Sequence, residues 1–276
     1  MNNLTILSVS TMQSIRRRTR AMRLIVLKVW LLSLLSAWAG VTLAASSPAA
    51  KEAVSATSPL LSDRHADGMG KPVDQSSYQA MFQKAITEDL SGRPQDARKI
   101  YDMLQKTELA PQVAVPSAIN LAALARFDEA KSAFAHIALS ADENESNYAQ
   151  IWQLWLTART HTGMTASLKK QLSVMAAGFN VAVPYQQAIV DLYAGKGDVE
   201  SVFKAIDAMP NLSGIQKQNV ITEATFFTGA YLRYVAQDNK SALQVFKRYQ
   251  DQFCILSLER PLINGAIAEL ETASRK

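Results

Sequence analysis

The stretch "ARFDEAKSAFAHI" at residues 125–137 sets the pattern of the chain. From Ala130 its apolar positions, Ala133, Phe134 and Ile137, recur at steps that keep them on one face of a helix. From Ser76 onward, long segments of this kind alternate with short breaks such as "SGRPQD", "SADENES", "HTGMT", "AGKGD", "MPNLSG" and "AQDNK". The breaks carry the Gly, Pro, Asn and Asp that end one helix and start the next. No run alternates as a strand does. The pattern predicts about ten helices plus a C-terminal one, an all-α protein.

The segments also repeat. "GRPQDARKIYDML" at 92–104 aligns with 125–137, so that Ala97 matches Ala130, Tyr101 matches Phe134 and Leu104 matches Ile137. "QDNKSALQVFKRY" adds Ala242, Phe246 and Tyr249. "GKGDVESVFKAID" adds Val202 and Ile206, and "GMTASLKKQLSVM" adds Leu168, Leu172 and Met175. Successive units are spaced by roughly 33–40 residues, a period typical of helical solenoids. A pair of helices this short cannot bury its own apolar face, so stacked pairs must share one core.

These units resemble the tetratricopeptide repeat. That family places a small residue near the middle of the first helix, Gly at the turn, and a small residue then an aromatic in the second helix. The corresponding mid-helix residues are Ala85, Ala118, Leu156, Val190 and Ala230, and the turn residues are Gly92, Ala125, Gly163, Gly197 and Gln237. The third and fourth units depart from the pattern, with Leu and Val where Ala is usual. The resemblance covers roughly residues 76–250. It implies a right-handed α-solenoid of about five helix-turn-helix repeats, with "ERPLINGAIAELETASRK" as a C-terminal capping helix over residues that end the 76–276 domain.

The same register implies a concave face. Its first-helix positions are Gln79, Phe82, Ile86 and Asp89 in the first unit, and Gln112, Val115, Ile119 and Ala122 in the second. The third unit supplies Gln150, Gln153, Thr157 and Thr160, and the fourth Pro184, Gln187, Asp191 and Ala194. The fifth gives Ala224, Phe227, Tyr231 and Tyr234. As binding positions we single out Gln79, Phe82, Gln153, Thr157, Gln187, Asp191, Phe227, Tyr231 and Tyr234. The last three share one helix face, and two readings stand for them: packing against the neighbouring unit, or exposed aromatic anchors. The Lys/Asn/Arg set with which some relatives clamp a terminal carboxylate does not fall on these positions.

Charge changes the picture at the N-terminus. The chain of 276 residues has a formal charge of +5. Six basic residues, Arg16, Arg17, Arg18, Arg20, Arg23 and Lys28, lie within 1–44, which holds no acid. Without them 23 basic residues face 24 acidic ones, and no basic stripe with interleaved aromatics remains. The balance argues against a nucleic-acid partner. "RRRTRAMR", the apolar "LIVLKVWLLSLLS" and the small residues Ala37-Trp38-Ala39 read as a signal peptide. The alternative is an uncleaved membrane anchor facing the periplasm, since 22 residues of this kind can span a bilayer. Residues 45–75, rich in Ala, Ser and Pro, read as a flexible linker. Cys254 is the only cysteine, set in the apolar "QFCILSL" and read as a small buried hydrophobe.

No motif points to catalysis, a metal or a cofactor. His65, His136 and His161 belong to no ligand spacing. "GKGD" at 195–198 lacks the remainder of a phosphate loop. Trp152 and Trp155 read as core, with a ligand platform as the alternative. The expectation is a non-enzymatic scaffold that binds a protein or peptide in the bacterial cell envelope, and the resemblance to the tetratricopeptide repeat implies that it assists a pilus, secretion or polysaccharide-export system. Membrane contact arises only if the N-terminal segment is retained. Two alternatives stand beside it: a membrane-anchored chaperone partner, and a helical peptidoglycan-cleaving enzyme whose acid would be Glu88, Asp89 or Glu223.

Overall fold

The computed structural model describes residues 75–275. The expected signal peptide (1–44) and, apart from Gln75, the expected linker (45–75) lie outside the described residues. Among the described residues there are eleven α-helices and no strand. Five consecutive hairpins are formed by α1 (Gln75–Leu90) with α2 (Pro94–Leu104), α3 (Ala110–Ala123) with α4 (Phe127–Ile137), α5 (Glu143–Thr160) with α6 (Thr165–Ala177), α7 (Pro184–Tyr193) with α8 (Val199–Asp207), and α9 (Gly214–Tyr234) with α10 (Asn239–Arg248). A 3-10 turn (Gln250–Gln252) then leads to α11 (Glu259–Ser274). The all-α reading and its ten-plus-one helices are therefore seen.

Local chemistry starts the helices. Asp142, Asp198 and Asp238 accept from backbone N–H groups in the first turns of α5, α8 and α10, and Ser213 with Gln216 forms a reciprocal cap on α9. Pro stands in the first turn of α2, α3 and α7, where its missing N–H costs nothing.

Left-handed residues follow the first helices of four of the five hairpins. Gly92 (φ 74°), Ala125 (φ 57°), Gly195 (φ 75°) and Gln237 (φ 56°) all have positive φ. Behind the first three, the next N–H reaches back across the last turn: Arg93 to the Glu88 carbonyl at 2.9 Å, Arg126 to Leu121 at 2.9 Å, and Lys196 to Asp191 at 2.8 Å. This is the closure in which a left-handed residue lets terminal carbonyls be satisfied. The turn in the fourth hairpin thus pivots on Gly195, two residues before the Gly197 expected from the register, and two extra residues separate it from α8. Gly163 has no positive φ either. The third turn runs instead through extended backbone at His161 and Met164.

The mid-helix residues Ala85, Ala118, Leu156, Val190 and Ala230 are all buried, as are Ala97, Ala130 and Ala242. One large apolar core runs from α3 to α11, and a smaller one fills the space among α1, α2 and the start of α3. Leu258, just before α11, packs against both. Stacked aromatics form the centre of the larger core. Trp152 lies parallel to Phe134 at 5.1 Å and edge-on to Phe227 at 5.5 Å. Two helices approach closely at Gly229 of α9: a Cβ there would stand 2.1 Å from the Phe246 ring of α10. Glycine in mid-helix forgoes helix propensity, and here the missing side chain is the space the aromatic occupies.

Each helix packs on the next in sequence, and α11 packs against α9 and α10. Two further contacts depart from a simple stack: α9 also meets α5, and α11 reaches back to α1. The terminal helix therefore touches the first hairpin as well as covering the last.

Candidate functional site

A cavity of about 340 Å³ lies where α1, α3, α5, α9 and α11 face one another. Its volume is at the low end for ligand pockets, which span roughly 300–1,000 Å³. Ile119, Phe127, Trp155, Phe226 and Leu262 give it apolar walls. Asp89, Asn120, Arg159, Arg233, Tyr234 and Glu269 supply its polar groups.

Two helix ends bring the cations in. Arg159 occupies the last turn of α5 and Arg233 the last turn of α9. The negative end of each helix dipole favours a positive side chain there. The Arg159 guanidinium lies 5.0 Å from the centre of the Phe127 ring and 5.2 Å from that of Tyr234. Arg233 lies 5.1 Å from the same Tyr234 ring. The two arginines differ in one respect: Arg233 donates to Glu269 at 2.8 Å, whereas Arg159 has no anionic partner among the described residues. Burial pushes the Tyr234 hydroxyl above its ordinary pKa, while the two arginines act in the opposite direction.

The cavity also has a buried acid in its lining. Asp89, at the end of α1, is 7% exposed. Its Oδ1 accepts from Asn120 Nδ2 at 2.6 Å, and the same amide nitrogen donates to the Pro94 carbonyl at 2.8 Å. Asp89 Oδ2, Asn120 Oδ1 and Trp155 Nε1 are buried without hydrogen-bond partners. Burial raises the Asp89 pKa to about 6, against the opposing pull of Asn120, Tyr101 and Arg98. Arg98 is itself engaged elsewhere: it donates to Asp102 at 2.9 Å, to the Ser117 carbonyl at 3.1 Å and to the Ser117 hydroxyl at 2.8 Å.

Of the nine binding positions read from the sequence, Tyr234 lines this cavity. From the wider register Asp89, Ile119 and Ala122 join it. Phe82 and Phe227 are buried at 2% and 0% exposure, packed as core on α1 and α9. Tyr231 is half-buried, edge-on to Tyr193 at 5.4 Å. Gln79 is half-buried, with its Oε1 unpartnered. Gln153 donates to the Phe134 carbonyl at 3.2 Å, and Thr157 to Met175 Sδ at 3.6 Å. Gln187 bridges the Val181 N–H at 2.8 Å and Asp191 Oδ1 at 3.0 Å, so both of these fourth-unit residues serve the hairpin itself. Trp152 is core. Trp155 is buried too, yet one edge of it faces the cavity.

Sequence reasoning passed over Arg159, Arg233 and Glu269. The two arginines carry only a weak signal, a basic residue in the last helical turn, which is commonly a solvated charge. Glu269 depends on where α11 docks, which no local pattern encodes.

A second polar group is sealed in the larger core. Glu259, opening α11, accepts from the Tyr148 hydroxyl of α5 and from the Ser257 hydroxyl. Glu223 of α9 accepts from Gln186 Nε2 at 2.8 Å. Burial, reinforced by these carboxylates, holds the Tyr148 and Tyr185 hydroxyls well above their ordinary pKa. Of the three acids considered as catalysts, Glu223 is thus in the interior, Glu88 is paired with Arg93, and Asp89 is the one at the cavity. Cys254 is buried, and its N–H donates to the Thr222 hydroxyl at 2.8 Å.

Among the described residues no group of His, Cys, Asp and Glu is arranged to hold a metal ion, and no helix is long and apolar enough to cross a membrane. No family model matches the chain, and no curated protein matches it significantly.

Proposed function

We propose that this chain is a non-enzymatic scaffold that binds a protein or peptide partner in the bacterial cell envelope. In this reading it is exported to the periplasm, and the five hairpins are tetratricopeptide-like repeats wound as a right-handed solenoid. The observation that carries it is the cavity where α1, α3, α5 and α9 converge with α11. Aromatic walls and an arginine without an anionic partner suit capture of a partner's side chain better than simple core packing. Function on such a fold is argued from the site, because helical repeats serve many ends. Site-specific photo-crosslinking in cells tests it. A crosslinker replacing Ala123, exposed at the cavity, is expected to trap an envelope protein. The same group at Leu139, 84% exposed in the loop that follows α4 and outside the cavity lining, is the control. Equal adducts from both positions, or none from Ala123, would refute the assignment.

Asp89 favours a second reading. A buried carboxyl with its pKa near 6 beside a cavity is the form a general acid takes. Turnover of purified peptidoglycan, abolished in Asp89→Asn, would establish an enzyme in place of a scaffold.

A further inference from the structure

We infer that the cavity seats one acidic side chain, an Asp or Glu carried on a peptide segment of the partner, and that Arg159 is the group that receives its carboxylate. This rests on the scaffold reading and narrows it.

Four observations support it. The first is the Arg159 side chain itself. It is half-buried, within cation–π distance of Phe127 and Tyr234, and lacks an anionic partner among the described residues. Aromatic rings ease the cost of a partly desolvated cation, but they provide no carboxylate or carbonyl oxygen for its N–H donors. A carboxylate meets that planar fork with two parallel hydrogen bonds.

The second is the contrast with the neighbouring cation. Arg233 shares the Tyr234 ring and already holds Glu269. The protein thus supplies a carboxylate to one guanidinium of the pair and leaves the other open toward the cavity. Third, Asp89 does not fill that role. Its carboxylate is bound by Asn120, and the cation acting on it is Arg98. Fourth, the volume sets the size of the occupant. The cavity of about 340 Å³, with walls from α1, α3, α5, α9 and α11, has room for one side chain and its immediate backbone. Trp155 and Leu262 would cover the methylenes of a Glu or Asp, while Arg159 takes its charge.

Fluorescence anisotropy on the full-length protein tests the inference. The probe is a short, amidated, fluorescein-labelled peptide in which Glu alternates with Ala. Its counterpart with Gln at every Glu position has the same shape and no charge. The wild type is expected to bind the Glu peptide saturably. Arg159→Gln and the Gln peptide should each weaken binding about ten- to a hundredfold, the range for losing a hydrogen-bonded charge. Arg159→Lys keeps the cation without the fork and should fall between them. Circular dichroism melts of both variants separate lost binding from lost folding. Lys169→Gln, an exposed charge on α6, should change nothing.

Equal binding of the two peptides overturns the inference. So does an Arg159→Gln variant that folds and binds like the wild type, or the absence of saturable binding by the wild type. N-acetylmuramic acid is the competing source of a carboxylate; if it binds through Arg159 while the peptide does not, the occupant is a sugar acid and the inference fails. A failed peptide titration beside a positive crosslink at Ala123 would remove the acidic side chain and leave the scaffold standing.

Discussion

Ala125 is in a backbone conformation that suits glycine, and replacing it tests the hairpin register directly. Its φ is 57°, and the equivalent residue one hairpin earlier, Gly92, has φ 74°. An L-residue with a Cβ pays roughly 1–2 kcal/mol for the left-handed conformation. Glycine returns roughly 0.4–1 kcal/mol of that through its freer unfolded chain. Ala125→Gly is therefore expected to stabilise the fold by about 0.5–1 kcal/mol, and Gly92→Ala to destabilise it by about as much. Added atoms do not confuse the second case, because a Cβ at Gly92 would meet nothing within 4 Å. At this chain length 1 kcal/mol moves Tm by roughly 2–4 °C, so the two variants should separate by about 2–8 °C in opposite directions from the wild type. Thermal melts followed by far-ultraviolet circular dichroism give the answer. If Ala125→Gly lowers Tm, or Gly92→Ala leaves it unchanged, the turns are not left-handed at these positions. The alignment of the first two hairpins would then be wrong.

Gly229→Ala should destabilise the protein by about 1–3 kcal/mol or more, because the new Cβ collides with the Phe246 ring; adding Phe246→Leu should restore part of the loss in a denaturant titration. Ala130→Trp overpacks the fully buried second-helix position of the α3–α4 hairpin, and an unchanged denaturation midpoint would remove that unit from the repeat. Asp89 has its folded pKa raised from 3.8 to about 6, so the folded state holds the extra proton and stability falls as pH rises between those values. Asp89→Asn keeps an acceptor for Asn120; it should raise Tm at pH 8, by on the order of 2 kcal/mol in stability, and flatten the pH dependence between about 4 and 6. A variant no more stable than the wild type at pH 8 would show that ionised Asp89 costs the fold nothing.

Helix count, helix faces and three of the turns, at Gly92, Ala125 and Gln237, were legible because each is a local property. Ala97, Tyr101 and Leu104 recur as Ala130, Phe134 and Ile137 at spacings that only a helix places on one side, and all six are buried. Gly92 and Ala125 stand where a helix must stop. The fourth turn was misplaced because Gly195 and Gly197 satisfy the same local rule, and only the backbone distinguishes them. Gly229 left a readable trace, a glycine amid Phe226, Phe227 and Tyr231, but the ring that needs the space lies on another helix. The candidate site was scarcely legible. Asp89, Ile119, Ala122 and Tyr234 came from the register; Arg159 and Glu269 acquire meaning only when α5 and α11 face one cavity.

The return of α11 to the first hairpin bears on how the molecule comes apart. In an open array, the outermost unit can fray while the rest stays folded, since each unit answers only to its neighbours. Here the Tyr148–Glu259 hydrogen bond joins residues 111 positions apart, and Leu258 packs into both cores. Loosening α11 therefore disturbs the third hairpin through Tyr148 and the first through Leu258, so unfolding is expected to be closer to a single event than a progressive peeling. The same contact slows assembly, because the chain must bring its far end home before the last surface is covered. A protein built this way exchanges the graded elasticity of a repeat array for resistance to proteases that attack frayed ends.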